Sequence, residues 1–198
     1  MDLSNENSDG LTNSLTVGYH GTNEDNAKDI LDNEFKPGAS SGWLGSAIYF
    51  WLSKTLAFHW CSQAKLIPPA VIAAEIAVSS EFCLDLTESE GIEAYNQFVV
   101  DFCKDERNRK ELDTWIAVNG SICDAYFVQM LFKVGPVKIV RFNAMASDAA
   151  LEKPPRRYAY PKLPVDKYKS RFIINVRHIL ALKDNSLIRR KYRVSHVG

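Results

Sequence analysis

The chain has 198 residues, 46% of them hydrophobic and 11% aromatic, and its acidic and basic side chains balance to zero net charge. That length and composition allow one domain with a real core and exclude a wholly disordered chain. No run of about eighteen apolar residues occurs, so no segment reads as a membrane-spanning helix and no membrane partner is expected.

The polar, acidic start MDLSNENSDGLTNS is the opposite of a secretory signal and reads as a short disordered leader over residues 1–14. A single domain over 15–198 follows. Residues 15–20 read as a strand. Glu24 to Asn33 reads as a helix capped by Asn23, with Ala27, Ile30 and Leu31 on its apolar face. A loop rich in Gly, Ser and Pro runs from Phe35 to Gly45, and Ser46 to Trp51 is a short buried strand. Ser53 caps a second helix to Gln63, with Leu56, Ala57 and Trp60 facing inward. Strands are expected over 70–78 and 82–86, helices over 88–103 and 106–118, and strands again over Asp124 to Lys133 and Val137 to Phe142. A basic loop over 143–169 leads to RFIINV, 171–176, the strongest strand signal in the chain. Helices come first and strands mostly later, which reads as α+β with a mixed or antiparallel sheet. Cys61, Cys83, Cys103 and Cys123 are widely spaced among apolar residues, without a CxxC, and read as buried reduced thiols of a cytoplasmic protein. No metal-ligand spacing is present.

The charge balance hides a division. Residues 1–150 carry 11 Lys and Arg against 21 Asp and Glu; residues 151–198 carry 13 against 3. A basic last quarter on a neutral chain points to an anionic partner at that end.

Two segments carry chemistry, YHGT at 19–22 and WLGSAIYFW at 43–51. Alone, a histidine at a strand end is more often a satisfied structural residue, a strand tyrosine is more often core, and the glycines at 38, 42 and 45 match no phosphate loop. Together, the His-Gly, the following helix, the Gly-rich loop and the Ile-Tyr-Phe strand resemble the ADP-ribosyltransferase fold, in the branch of the poly(ADP-ribose) polymerases and the diphtheria-toxin group. The resemblance covers residues 17–60. DAYFVQMLF and RFIINVRHI are similar in placement to later strands of bacterial members.

The resemblance implies split sheets flanked by helices and an NAD cleft between them, with NAD as donor substrate and no metal. It assigns His20 to the adenine-side ribose, with Thr22 in support, and the Gly21 backbone to the nicotinamide carboxamide. Tyr49 would lie flat on the nicotinamide ring, a stack contributing about 0.5–1.5 kcal/mol beyond burial. Phe50 accompanies it, and Trp60, ahead of His59, would form the opposite wall. Loop 36–45 would cover the diphosphate with backbone N–H groups.

One family feature is missing. Members commonly place a glutamate at the start of the strand that here reads Ser170-Arg171-Phe172-Ile173, where it stabilises the cation formed as nicotinamide leaves. No glutamate follows Glu152, and the nearest carboxylates, Asp124 and Asp166, match no motif. Arg171 stands in that window and joins His20 and Tyr49 as a candidate catalytic residue. A guanidinium beside a developing ribosyl cation is unfavourable, so it is expected to turn toward an anionic acceptor.

KPPRRYAYPKLPVDKYKSR, 153–171, mixes cations with tyrosines, and IRRKYRVSH, 188–196, adds more. Cations meet phosphates and tyrosines stack on bases, which suits single-stranded nucleic acid, although a solvated face or a dock for an acidic protein has the same composition. Arg156, Arg157, Tyr158, Lys169 and Arg171 are the acceptor candidates, with RNA ahead of DNA. A base amine needs less help from a general base than a hydroxyl, in keeping with the missing glutamate. Small stand-alone members of the family are often toxins of toxin–antitoxin or phage-defence systems, so the resemblance also implies a neutralising protein partner. The alternatives are transfer to a protein side chain, and a module that binds ADP-ribose or nucleic acid without catalysis.

Overall fold

The structure is a computed structural model that describes residues 14–38, 44–119, 124–143 and 178–195. It is α+β. The elements run β1 (Ser14–Asn23), α1 (Glu24–Asp32), β2 (Ile48–Trp51), α2 (Lys54–Gln63), β3 (Pro69–Val78) and β4 (Cys83–Asp85). Then come α3 (Ser89–Phe102), α4 (Glu106–Asn119), α5 (Asp124–Val134), β5 (Ile139–Asn143), β6 (His178–Leu182) and β7 (Ile188–Val194), with a 3-10 turn at Asn185–Leu187 before β7.

The strands form one mixed seven-stranded sheet, in the order β4-β5-β6-β2-β1-β3-β7, rather than two separate sheets. Only β4 and β5 run parallel. Alternation along each strand gives the sheet two apolar faces. On β2, Ile48 and Phe50 point toward α1, where they meet Ala27, Ile30, Phe35, Ile72 and Leu180. Tyr49 and Trp51 point the other way, into the cluster built by α2 to α5.

Local chemistry explains most boundaries. The Asn23 side chain accepts from the Asn26 N–H at 2.8 Å and caps α1 as the sequence predicts. Ser53 takes the extended N-cap backbone of α2, but its hydroxyl makes no cap bond; its carbonyl instead accepts from the Ala57 N–H.

Segment 124–133, expected as a strand, is the helix α5. Asp124 to Val128, Leu131 and Phe132 are all buried, so nearly every side of the segment faces protein and the apolar run has no telling period. Gly135 closes it, its N–H returning to Leu131 O at 3.0 Å. The sequence does not predict β6 and β7 as strands: the basic run 188–196 contains β7, an edge strand paired with β3. Strands and helices alternate through the first half of the chain, and the last three strands follow three consecutive helices. The expected strand at 171–176 and nearly all of the basic loop lie outside the described residues. Among the described residues no helix is long and apolar enough to cross a membrane. Cys61 and Cys103 are buried and Cys83 half-buried, and all three are free thiols.

Candidate functional site

The sheet is narrowest in pairing at its middle. β1 pairs with β3 along all ten residues, and β2 pairs with β6 over four. Between β1 and β2 a single pair, Tyr19 opposite Trp51, holds the register. This seam is where the YHGT and IYF segments meet.

Past the Tyr19–Trp51 pair, a side chain carries the link. His20 Nδ1 lies 2.9 Å from Tyr49 O. The acceptor is a carbonyl, so Nδ1 holds the proton and the neutral ring keeps Nε2 as a hydrogen-bond acceptor. Burial lowers the imidazole pKa below its usual 6.5, against the pull of the Tyr49 carbonyl. The ring meets Phe35 edge-on at 5.3 Å and Phe50 at 5.9 Å, while Phe35 and Phe50 meet at 5.0 Å. The half-buried His20 therefore sits in a cage of two phenyl rings on the α1 side, its protonation state set by the site.

Tyr49 is anchored at both ends. Its hydroxyl donates to Gly45 O at 2.7 Å and accepts from the Leu44 N–H at 2.9 Å. Burial raises the phenol far above its usual value, so it stays protonated and acts through its ring and as a clamp on residues 44–45. Gln129 of α5 holds the same turn, donating to Leu44 O at 2.8 Å. Gly45 has φ +81°, the left-handed region, and a Cβ there would meet the Gln129 side chain at 2.9 Å.

Gly21 lies against α2. A Cβ at this position would come within 2.7 Å of Ala57 O, 2.8 Å of Cys61 Sγ and 3.1 Å of Trp60 Cδ1. Helix packing alone demands the glycine, whatever a ligand needs. It also brings Trp60 to Gly21, with Trp60 and Trp51 rings 6.3 Å apart. His59 is exposed.

Two assignments change. Phe50 has no exposed surface, so it touches no ligand directly and instead packs on His20. Thr22 is buried, its carbonyl accepting from Cys61 Sγ at 3.6 Å, so only a small part of it could reach a sugar.

No family model, no curated protein and no solved structure matches this chain. The reading of the seam rests on its own residues.

Asp124, one of the two carboxylates the sequence offered, is buried and accepts from the Tyr95 hydroxyl at 3.0 Å, a core contact between α5 and α3. Asp166 lies outside the described residues, as do Arg156, Arg157, Tyr158, Lys169 and Arg171. Among the described residues no cluster of His, Cys, Asp or Glu could hold a metal.

The basic end is less free than its composition suggested. On β7, Arg193 pairs with Glu24, and Lys191 donates to the Ile30 and Asn33 carbonyls at the end of α1. Arg190 lies 4.0 Å from Glu75 and over the Tyr192 ring. Among the described residues only Arg189 of these four cations has no such partner. Two of the four thus fasten β7 to α1, and a third faces its neighbour strand β3.

Sequence reasoning missed Phe35 and Asn185. Phe35 is a lone aromatic in a polar loop, and that isolation was the available signal. Asn185 lies in Lys-Asp-Asn-Ser, an ordinary turn signature with nothing to mark its partner.

Proposed function

We propose that the chain is an ADP-ribosyltransferase that takes NAD as donor and releases nicotinamide. The observation that carries this reading is the His20–Tyr49 link across the one-pair seam. It leaves an imidazole nitrogen able to accept from a ribose hydroxyl on the α1 side. The Tyr49 and Trp60 rings lie on the α2 side, where a flat nicotinamide would stack. A dinucleotide crossing the seam would present a different half to each.

The preferred acceptor is nucleic acid, RNA ahead of DNA. It is supported by the mixture of cations and tyrosines at 153–171 and hardly at all by β7, whose cations are mostly engaged. A toxin or defence role with a neutralising partner rests on the family resemblance.

A binding module without catalysis is the second reading. β6, the strand beside β2, reads HILAL and contains no carboxylate, with the exposed His178 at its start. Nothing on that strand would steady a ribosyl cation as a glutamate does.

The test is labelled NAD with total RNA, denatured DNA and cell lysate, beside Tyr49→Ala. Nicotinamide release with label on nucleic acid, both lost in the variant, is expected. Reversing the charge of Arg156, Arg157 and Lys169 should abolish that label and leave NAD binding intact. Label on protein alone would replace the acceptor. NAD bound without nicotinamide release would leave the binding module. Absence of NAD binding would end the transferase reading and leave of the module only its nucleic-acid form.

A further inference from the structure

We infer that Asn185 is the positioning residue for His20, acting through Phe35. The Asn185 side-chain amide clips both backbone groups of Phe35: Nδ2 donates to Phe35 O at 2.8 Å, and Oδ1 accepts from the Phe35 N–H at 3.1 Å. Phe35 follows the end of α1 in a segment with no strand or helix of its own, so this amide takes the place of a ladder. A carboxamide suits the task, because it presents a donor and an acceptor side by side on one planar group. Phe35, 2% exposed, then sets its ring edge-on to His20 at 5.3 Å. Asn185 itself is held in the turn before β7, where Asp184 accepts from the Ser186 N–H at 2.8 Å.

The arrangement ties the imidazole on β1 to a turn 150 residues from Phe35 in the chain. His20 has burial and the Tyr49 carbonyl as the causes of its shifted titration, and no charged side chain among them. The Phe35 ring is part of that burial. Releasing Phe35 would let more water reach the half-buried imidazole and weaken the preference for the Nδ1–H form that faces Tyr49. The clip borders a depression of about 250 Å³ that Asn33, Glu34 and Arg189 also line. Asn185 itself lines that depression, so a changed side chain at 185 borders open space on one side.

The inference bears on the proposed NAD site and rests on that reading only for its effect on NAD. The experiment is an NMR titration of the His20 ring, with ¹⁵N shifts reporting the tautomer, in wild type, Asn185→Ala and Asn185→Asp. Aspartate keeps the size and the bond from the Phe35 N–H but sets an oxygen against Phe35 O. Both variants are expected to move the His20 midpoint up toward 6.5 and to dilute the Nδ1–H form. NAD affinity should fall by about tenfold or less, the scale of a lost hydrogen bond. If either variant does not fold, the other decides. A His20 midpoint and tautomer unchanged in the folded variant overturn the positioning role. If His20 shifts but wild type binds no NAD, the positioning role stands and the NAD reading falls.

Discussion

Gly21→Ala separates two reasons for one glycine. The family resemblance gives it to a ligand; the structure gives it to α2. An alanine methyl would stand 2.7 Å from Ala57 O and 2.8 Å from Cys61 Sγ. The first of these is helix backbone and cannot swing aside, so β1 and α2 must separate by some tenths of an ångström. Overpacking of this kind costs about 1–3 kcal/mol. For a chain of this size about 2 kcal/mol lowers the melting temperature by about 4–8 °C. Gly38→Ala is the control, because among the described residues its Cβ would meet only Ala47 O, at an ordinary 3.5 Å. Thermal unfolding of both variants without ligand, followed by circular dichroism, is the assay. A large drop for Gly21→Ala and almost none for Gly38→Ala is expected. A Gly21→Ala protein that melts with wild type would refute the packing argument. Loss of NAD binding in that same stable variant would return the glycine to the ligand.

Two further outcomes are expected. Tyr49→Phe keeps the ring but strips the partners from Gly45 O and the Leu44 N–H, so urea unfolding should show a loss of about 1–3 kcal/mol. NAD affinity should change far less than in Tyr49→Ala; equal losses of affinity would remove the ring from the argument. The lowered His20 pKa means that the unfolded chain takes up a proton before the folded one does. Its contribution is complete above 6.5 and is lost as pH falls below that value, by at most about 1.4 kcal/mol per pH unit. Urea midpoints at about pH 7.5 and about pH 5.5 should diverge in wild type and converge in His20→Gln, and equal slopes in the two would count against a buried neutral imidazole.

The legible parts of the fold were those where local chemistry and tertiary structure agree. Asn23 caps α1, and Ala27 and Ile30 give it one apolar face. β3 is a short continuous apolar run, as a strand buried on both faces should be. α5 reads as a strand because burial on nearly all sides erases its period, and the amide of Gln129, in the middle of its apolar run, serves another segment. β7 is not legible as a strand because an edge strand carries charge, and its Lys and Arg guard an open ladder. In the candidate site, the neighbouring His20 and Tyr49 were readable because each ends or begins near a recognisable motif. The packing origin of Gly21 was hidden, because spacing alone does not say whether a helix or a ligand fills the space above a glycine. The Phe35–Asn185 clip was out of reach for a different reason: its partners come from opposite ends of the chain.

The seam divides the sheet into β4-β5-β6-β2 on one side and β1-β3-β7 on the other, yet the chain passes between these halves four times, from β1 to β2, β2 to β3, β3 to β4 and β6 to β7. Neither half is a contiguous stretch of sequence, so neither can be excised or fold first by itself. Both must be assembled from distant segments before the pairing is complete, a topology that slows folding. Once formed, the halves are laced together. The line between them can breathe, and its amides should exchange with solvent before those of the β1–β3 ladder, but it cannot part.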